Sequence, residues 1–294
     1  MNYDLLPDFQ KYSWVKLPTQ PWMLKAANAL MPVIQRGKKL DSRLQSEKVQ
    51  IGECAADLIQ PKGGADALLI YYHGGAFLIK AAAYHKNLAQ TYALNANCTV
   101  LFVDYRLAPK YKFPIPVMDC FGAYSWALEH LTFKKLAVGG DSAGADLAMS
   151  VMLLAREKGL RMPDGQMLIY PGAASSPDTE SMRTFTDTPM WNSVLNARAL
   201  ALYADEKDRS NPLFMPLLAE NFAGFPTAYV ETTEFDCLHD AGIQIAERYR
   251  KDGIDVTLNE TRHTMHGYDI AERSPYVQEQ VGKRIRFLKE CLTA

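Results

Sequence analysis

The strongest chemical signal in the chain is a serine with glycines two residues away on either side, Gly140-Asp141-Ser142-Ala143-Gly144. An apolar, strand-like run over 136–138 precedes it, and a helical pattern begins at Ala143. A serine on so sharp a strand-to-helix turn projects its hydroxyl outward as a nucleophile, and small neighbours let the chain bend that tightly. A plain glycine turn with a helix-capping serine has the same spelling, and the flanking strand and helix weigh against it. An acyl-transfer serine also needs N–H donors aimed at the oxygen that becomes negative. His73-Gly74-Gly75-Ala76-Phe77 follows the apolar run 68–72 and offers paired glycines, whose backbone comes close because no Cβ intervenes. Taken alone, that segment reads equally as an ordinary turn leaving a strand.

The serine needs a base, and the base needs an acid that fixes its tautomer. Asp236 stands in a run of acids after the apolar stretch 228–230, and His266, followed by Gly267, comes in a loop after the stretch 256–258. The order Ser142, Asp236, His266 is that of α/β-hydrolases and differs from the two common serine-protease orders. His263, three residues earlier, is a rival base without the following glycine. Asp240 is a rival acid better placed to cap a helix over 240–252, and Glu234 is a weaker one. Asp141 is read as organising the turn, His73 as bracing its loop, and Cys237 as an inert thiol. Of the aromatic residues Trp191, Tyr203 and Phe214, one is assigned to an acyl pocket and two to packing. The chain has no H-E-x-x-H, no phosphate loop and no G-x-G-x-x-G after a strand, and His263 with His266 falls short of three zinc ligands. No metal and no cofactor is expected.

These groups need a scaffold that brings distant segments together. Short apolar runs at 68–72, 100–103, 136–138, 167–170, 228–230 and 256–258 suit strands buried on both faces. Helical patterns lie between them at about 81–96, 117–131, 143–158 and 240–252, stopped by Gly159 and Gly253, and a last helix has Ser274 as cap and Pro275 at its first position. Its apolar face is Val277, Val281, Ile285 and Leu288. The alternation predicts an α/β fold: a mostly parallel central sheet flanked by helices. Residues 1–45 read as helical, with Trp22, Ala26, Leu30, Val33 and Ile34 on one face until Gly37. The stretch 174–211 breaks the rhythm with turn formers and one helix near 193–205, after a strand end where ligands bind in open sheets. The division is therefore an N-terminal helical segment (1–45), a core in two parts (46–173 and 212–294) and an insertion (174–211).

Composition limits what else the chain can do. Its 294 residues are 48% hydrophobic and 22% charged with a net charge of −1, enough apolar content for a large core and too neutral for a phosphate backbone. Nucleic acid is not an expected partner, and disorder is excluded. Five scattered cysteines read as reduced thiols, the first eight residues lack a signal peptide's apolar core, and the most apolar stretch, 67–79, is too short to span a bilayer. The expectation is a cytoplasmic chain with no stable membrane insertion; a homodimer is left open.

Four segments together resemble the hormone-sensitive-lipase-like (GDXG) esterases of the α/β-hydrolase fold: His73-Gly74-Gly75-Ala76-Phe77, Asp104-Tyr105-Arg106-Leu107-Ala108-Pro109, the Ser142 turn, and Glu234-Phe235-Asp236-Cys237-Leu238 with His266-Gly267. They run in order from about residue 50 to the C-terminus. The resemblance implies Ser142 as nucleophile, His266 as base, Asp236 as acid, and the N–H groups of Gly74, Gly75 and Ala143 as an oxyanion hole. It also implies a helical cap built from the N-terminal helices and the insertion, and a small-molecule ester as substrate. The chain departs from the pattern at Ala76, where a third glycine is frequent, and at Lys110, where glutamate is usual. Residues 104–109 read as support behind the oxyanion loop. The polar insertion suggests short acyl chains, acetyl to hexanoyl. The alternatives are an amidase or formamidase on the same triad and a non-catalytic binder of the gibberellin-receptor kind, a group that has lost the histidine present here as His266.

Overall fold

The computed structural model describes residues 3–34, 40–172 and 178–293. A short helix α1 (Pro7–Gln10) and a longer α2 (Pro21–Ile34) precede a hairpin of β1 (Leu44–Ile51) and β2 (Cys54–Pro61). Alternation follows: β3 (Ala67–Tyr72), α3 (Ala83–Asn95), β4 (Thr99–Asp104), α4 (Ile115–His130), β5 (Lys135–Asp141), α5 (Ala143–Glu157) and β6 (Gly165–Ile169). After α6 (Glu180–Thr184) and α7 (Ser193–Tyr203) it resumes with β7 (Thr227–Phe235), α8 (His239–Lys251), β8 (Val256–Met265) and α9 (Pro275–Leu292). All six apolar runs become strands of a single eight-stranded sheet, ordered β1-β2-β4-β3-β5-β6-β7-β8. Pairing is antiparallel at β1/β2 and β2/β4 and parallel from β4 to β8.

The central parallel strands carry apolar runs because both faces are covered, whereas β8, at the sheet edge, has exposed polar positions. Every residue of β3 and β6 is buried. On one face Val117, Tyr124, Leu147, Ile245 and Tyr249 of α4, α5 and α8 pack against Leu68, Ile70 and Val138. On the other, Tyr92, Val277 and Leu288 of α3 and α9, together with Phe9, pack against Leu69, Tyr71 and Met167. Because β4 and β5 flank β3 on opposite sides, the chain reverses its direction of travel across the sheet there, and a crevice opens at the strands' carboxyl ends.

Several expectations are corrected. Residues 1–45 are not a continuous helical segment: α1 is four residues long and β1 begins at Leu44. The face of α2 is also turned, since Trp22 (72%) and Leu30 (55%) are exposed whereas Leu24 is buried. The side chains of Val33 and Ile34, and Gly37 with them, lie outside the described residues. The hairpin β1/β2 has no counterpart among the apolar runs because its outer strand is polar, buried only at its ends, Leu44 and Ile51, and half-buried at Val49. Its one local signal is Gly52, left-handed at φ 58° in a two-residue turn between the paired Ile51 and Cys54. In the insertion α6 is an element the sequence pattern does not show, while α7 lies where a helix is expected; residues 173–177 lie outside the described residues. Ser274 occupies the cap position of α9, but its hydroxyl finds no hydrogen-bond partner among the described residues.

Candidate active site

Ser142 sits between β5 and α5 at φ 52° and ψ −123°, a backbone conformation that costs an L-residue energy and persists only where packing enforces it. The enforcement is visible at Gly144: a Cβ there would stand 2.0 Å from the carbonyl oxygen of Tyr72, so α5 can begin this close to β3 only with glycine. The Ser142 N–H donates to the Ile169 carbonyl at 2.8 Å, tying the turn to β6.

His266 follows the last residue of β8, and Asp236 follows the last residue of β7, so both side chains emerge at the same sheet edge as Ser142. The loop expected before His266 is strand up to Met265, with His263 at φ 55° in an irregular register. His266 Nε2 lies 2.8 Å from Ser142 Oγ, and His266 Nδ1 lies 2.7 Å from Asp236 Oδ2. A carboxylate only accepts, so Nδ1–H donates to Asp236 and Nε2 is left to accept the serine hydroxyl proton. Asp236 is held in turn by the Thr233 hydroxyl at 2.8 Å and the Leu238 N–H at 2.9 Å. All three side chains are buried. The Tyr170 and His266 rings meet at a steep angle with centroids 4.9 Å apart, and the Tyr170 hydroxyl donates to Asp269 at 2.8 Å.

The rival residues do other work. His263 is exposed and its ring contacts Asp4, away from the serine. The Glu234 carboxylate accepts the His263 N–H. Asp240 does not cap α8, whose cap position is Leu238; it accepts the Ser181 N–H at 2.9 Å and fastens α6 to α8. Tyr203 stacks on Phe77 at 3.8 Å and packs beside Phe214, whereas Trp191 lines the cavity beside Ser142 and His266.

The loop facing the serine is built around Asp141. One carboxylate oxygen accepts from the Tyr71 hydroxyl at 2.9 Å and the Gly74 N–H at 3.1 Å; the other faces His85 Nε2 at 3.0 Å. His85 Nδ1 accepts the Ala82 N–H at 2.8 Å, which leaves Nε2 to carry the proton toward Asp141. Burial alone would raise the Asp141 pKa, but His85 and the hydrogen bonds from His85 and Tyr71 outweigh it and hold the carboxyl below its usual range. Gly74 is therefore a correction: its N–H, expected to face the substrate oxygen, is already given to Asp141. The next two N–H groups, of Gly75 (φ 126°) and Ala76 (φ 55°), donate to no protein acceptor among the described residues. Ala76 escapes a sequence reading as a donor because a local pattern does not show which amides a distant carboxylate consumes. Behind the loop, the Tyr105 hydroxyl donates to the His73 carbonyl at 2.7 Å and the Ala108 N–H to the Phe77 carbonyl at 2.9 Å, the support expected of residues 104–109. His73 is buried and braces the loop through a 2.7 Å contact between Nδ1 and the Gly74 carbonyl; burial drives its pKa down to about 4.

These groups open on a cavity of about 210 Å³. Leu17, Met31, Ile79, Met190 and Trp191 give it apolar walls beside Ser142 and His266. The N-terminal segment and the insertion meet there: the Met190 N–H donates to Val15 and the Leu17 N–H to Met190, at 2.6 and 3.0 Å. Among the described residues, no group of three metal-ligating side chains is present and no helix is long and apolar enough to cross a membrane.

A model of the alpha/beta hydrolase fold matches residues 69–270. An arylesterase of Saccharolobus solfataricus is 29% identical over 269 residues, covering 89% of this chain and 86% of its own. Among solved structures, a bacterial heroin esterase superposes with a TM-score of 0.90 at 26% identity, covering 99% of both chains. An esterase of the bacterial hormone-sensitive lipase family superposes with a TM-score of 0.81 at 27% identity, covering 92% of both.

Proposed function

The chain belongs to the α/β-hydrolase family in its hormone-sensitive-lipase-like branch and is a carboxylic ester hydrolase, and from that premise we propose that it cleaves short-chain acyl esters through Ser142, His266 and Asp236 by way of an acyl-enzyme. The observation that carries the proposal is the unbroken hydrogen-bond chain from the Ser142 hydroxyl through His266 to Asp236, at 2.8 and 2.7 Å. His266 takes the hydroxyl proton as Oγ attacks the acyl carbon, and Asp236 steadies the imidazolium. The same imidazolium protonates the departing alkoxide. In the second half His266 activates a water, which attacks the acyl carbon and returns Ser142 with release of the acid.

The oxyanion in both halves is received by the N–H groups of Gly75, Ala76 and Ala143. Each such donor is worth on the order of 3 kcal/mol in the transition state. The start of α5 adds its positive dipole end. The N-terminal segment and the insertion act as a cap, and the small cavity beneath them favours acyl groups from acetyl to hexanoyl. Replacing Ser142→Ala should lower turnover of para-nitrophenyl acetate by at least about a thousandfold and abolish labelling by a fluorophosphonate probe. Retained labelling at another residue would overturn the assignment, and a para-nitrophenyl series of increasing chain length tests the acyl preference.

A further inference from the structure

The segment from Ile79 to His85 forms much of the cavity lining, and it contributes two polar side chains that the hydrolytic machinery does not use, Lys80 and Tyr84. The other ionisable groups in the lining are engaged: Asp141 accepts three hydrogen bonds, His85 is held between Asp141 and Ala82, His266 is held between Ser142 and Asp236, and the Tyr170 hydroxyl donates to Asp269. Lys80 is exposed at the rim, and its ammonium has no carboxylate partner among the described residues. Its backbone is nevertheless fixed. The Lys80 N–H donates to Asn28 Oδ1 at 2.9 Å while Asn28 Nδ2 donates to the Leu78 carbonyl at 2.8 Å. Tyr84 stacks on the His85 ring at 4.0 Å, and its hydroxyl also has no hydrogen-bond partner among the described residues. Burial first, and then nearby carboxylates, keep that phenol protonated and a donor at neutral pH.

A cation and an O–H donor beside an apolar cavity leave one kind of group uncompensated, an anion with acceptor oxygens. We propose that Lys80 and Tyr84 form a subsite for a carboxylate carried by the ester that Ser142 attacks. The preferred substrates are then half-esters of dicarboxylic acids, with the charge on the acyl side, or acyl esters of hydroxy acids, with it on the alcohol side. This rests on the ester-hydrolase reading above and narrows its substrate class.

Two matched pairs of substrates test it: mono-para-nitrophenyl adipate against para-nitrophenyl hexanoate, and para-acetoxybenzoate against para-acetoxybenzamide. The quantity read is the ratio of kcat/KM for the charged ester to that for the neutral one, in wild type, Lys80→Met, Lys80→Glu and Tyr84→Phe. Comparing the ratio across variants cancels differences in intrinsic ester reactivity. In the pair whose carboxylate reaches the subsite, Lys80→Met should lower the ratio about tenfold, Lys80→Glu further, and Tyr84→Phe about threefold, mostly through KM. The wild-type ratio should also shrink in about 1 M salt, where charges are screened beyond roughly 3 Å. If Lys80→Met and Lys80→Glu leave both ratios unmoved while the neutral esters are turned over, the anionic subsite is overturned and ester hydrolysis stands. If wild type turns over none of the four esters, both readings fall.

Discussion

Asp141 lies next to Ser142, the proposed nucleophile, in sequence, yet its carboxylate faces the opposite loop, where it gathers Tyr71, Gly74 and His85. Its work is to set the path of the chain through Gly75 and Ala76. Asp141→Asn keeps the shape but replaces one acceptor oxygen with an N–H₂ group, so one of the three donors loses its partner. Oxyanion donors act in the transition state, and an ångström of misplacement costs on the order of a hundredfold. The variant should therefore show kcat reduced about ten- to a hundredfold with KM nearly unchanged, a split that steady-state kinetics resolves. An equal loss through KM would mean that Asp141 shapes substrate binding instead. The same residue shows where local reading stops. Ser142, Asp236 and His266 are legible because each closes a recognisable strand and their chain order carries meaning. Which glycine amide stays free is decided by a carboxylate 67 positions downstream of Gly74, and no pattern within residues 73–77 contains that information.

The elements are legible in proportion to how fully they are buried. The parallel strands β3 to β7 announce themselves because helices cover both faces and demand apolar runs, while β8, at the sheet edge, shows only a short one through Val256 and Leu258. The antiparallel edge β1 meets solvent, so its residues from Gln45 to Lys48 are exposed and nothing in its composition separates it from a loop. For α2, the difference is one of facing. The aromatic and aliphatic stripe through Trp22 and Leu30 looks like a buried face, but the helix is docked by Leu24 and by Asn28, whose amide grips both Leu78 and Lys80. A polar anchor on a helix is invisible to hydrophobic periodicity. Asn28→Ala removes both bonds and should loosen α2 by about 1–2 kcal/mol. The measurable result is faster amide exchange over residues 21–31 and a KM raised severalfold, with exchange in β5 and α5 unaltered. Unchanged exchange in α2 would show that Leu24 and Met31 hold it without Asn28.

At the scale of the whole molecule, the sheet buries ionisable groups whose titration couples the fold to pH. Arg284 is fully buried between Glu231 and Asp269, and its guanidinium keeps Glu231 ionised against the burial that would otherwise neutralise it. Glu231 and Asp141, both held below their ordinary values, cost stability only as pH falls through the acidic range beneath about 4.5. His73 acts at milder pH. Burial lowers its pKa from 6.5 to about 4, so between those values the unfolded chain takes up a proton that the folded chain refuses. Stability from this one group is complete above pH 6.5, drains away as pH falls toward 4, and is constant below that. A displacement of that size corresponds to about 3 kcal/mol in all, of which about 2 kcal/mol is lost between about pH 7.5 and about pH 5. His73→Asn retains a donor near the Nδ1 position and cannot titrate. Urea unfolding at the two pH values should give a wild-type difference larger than the variant's by about 2 kcal/mol, whatever the variant's absolute stability. Equal differences would mean that His73 accepts its proton within the folded protein, and that the loop in front of Ser142 tolerates a buried imidazolium.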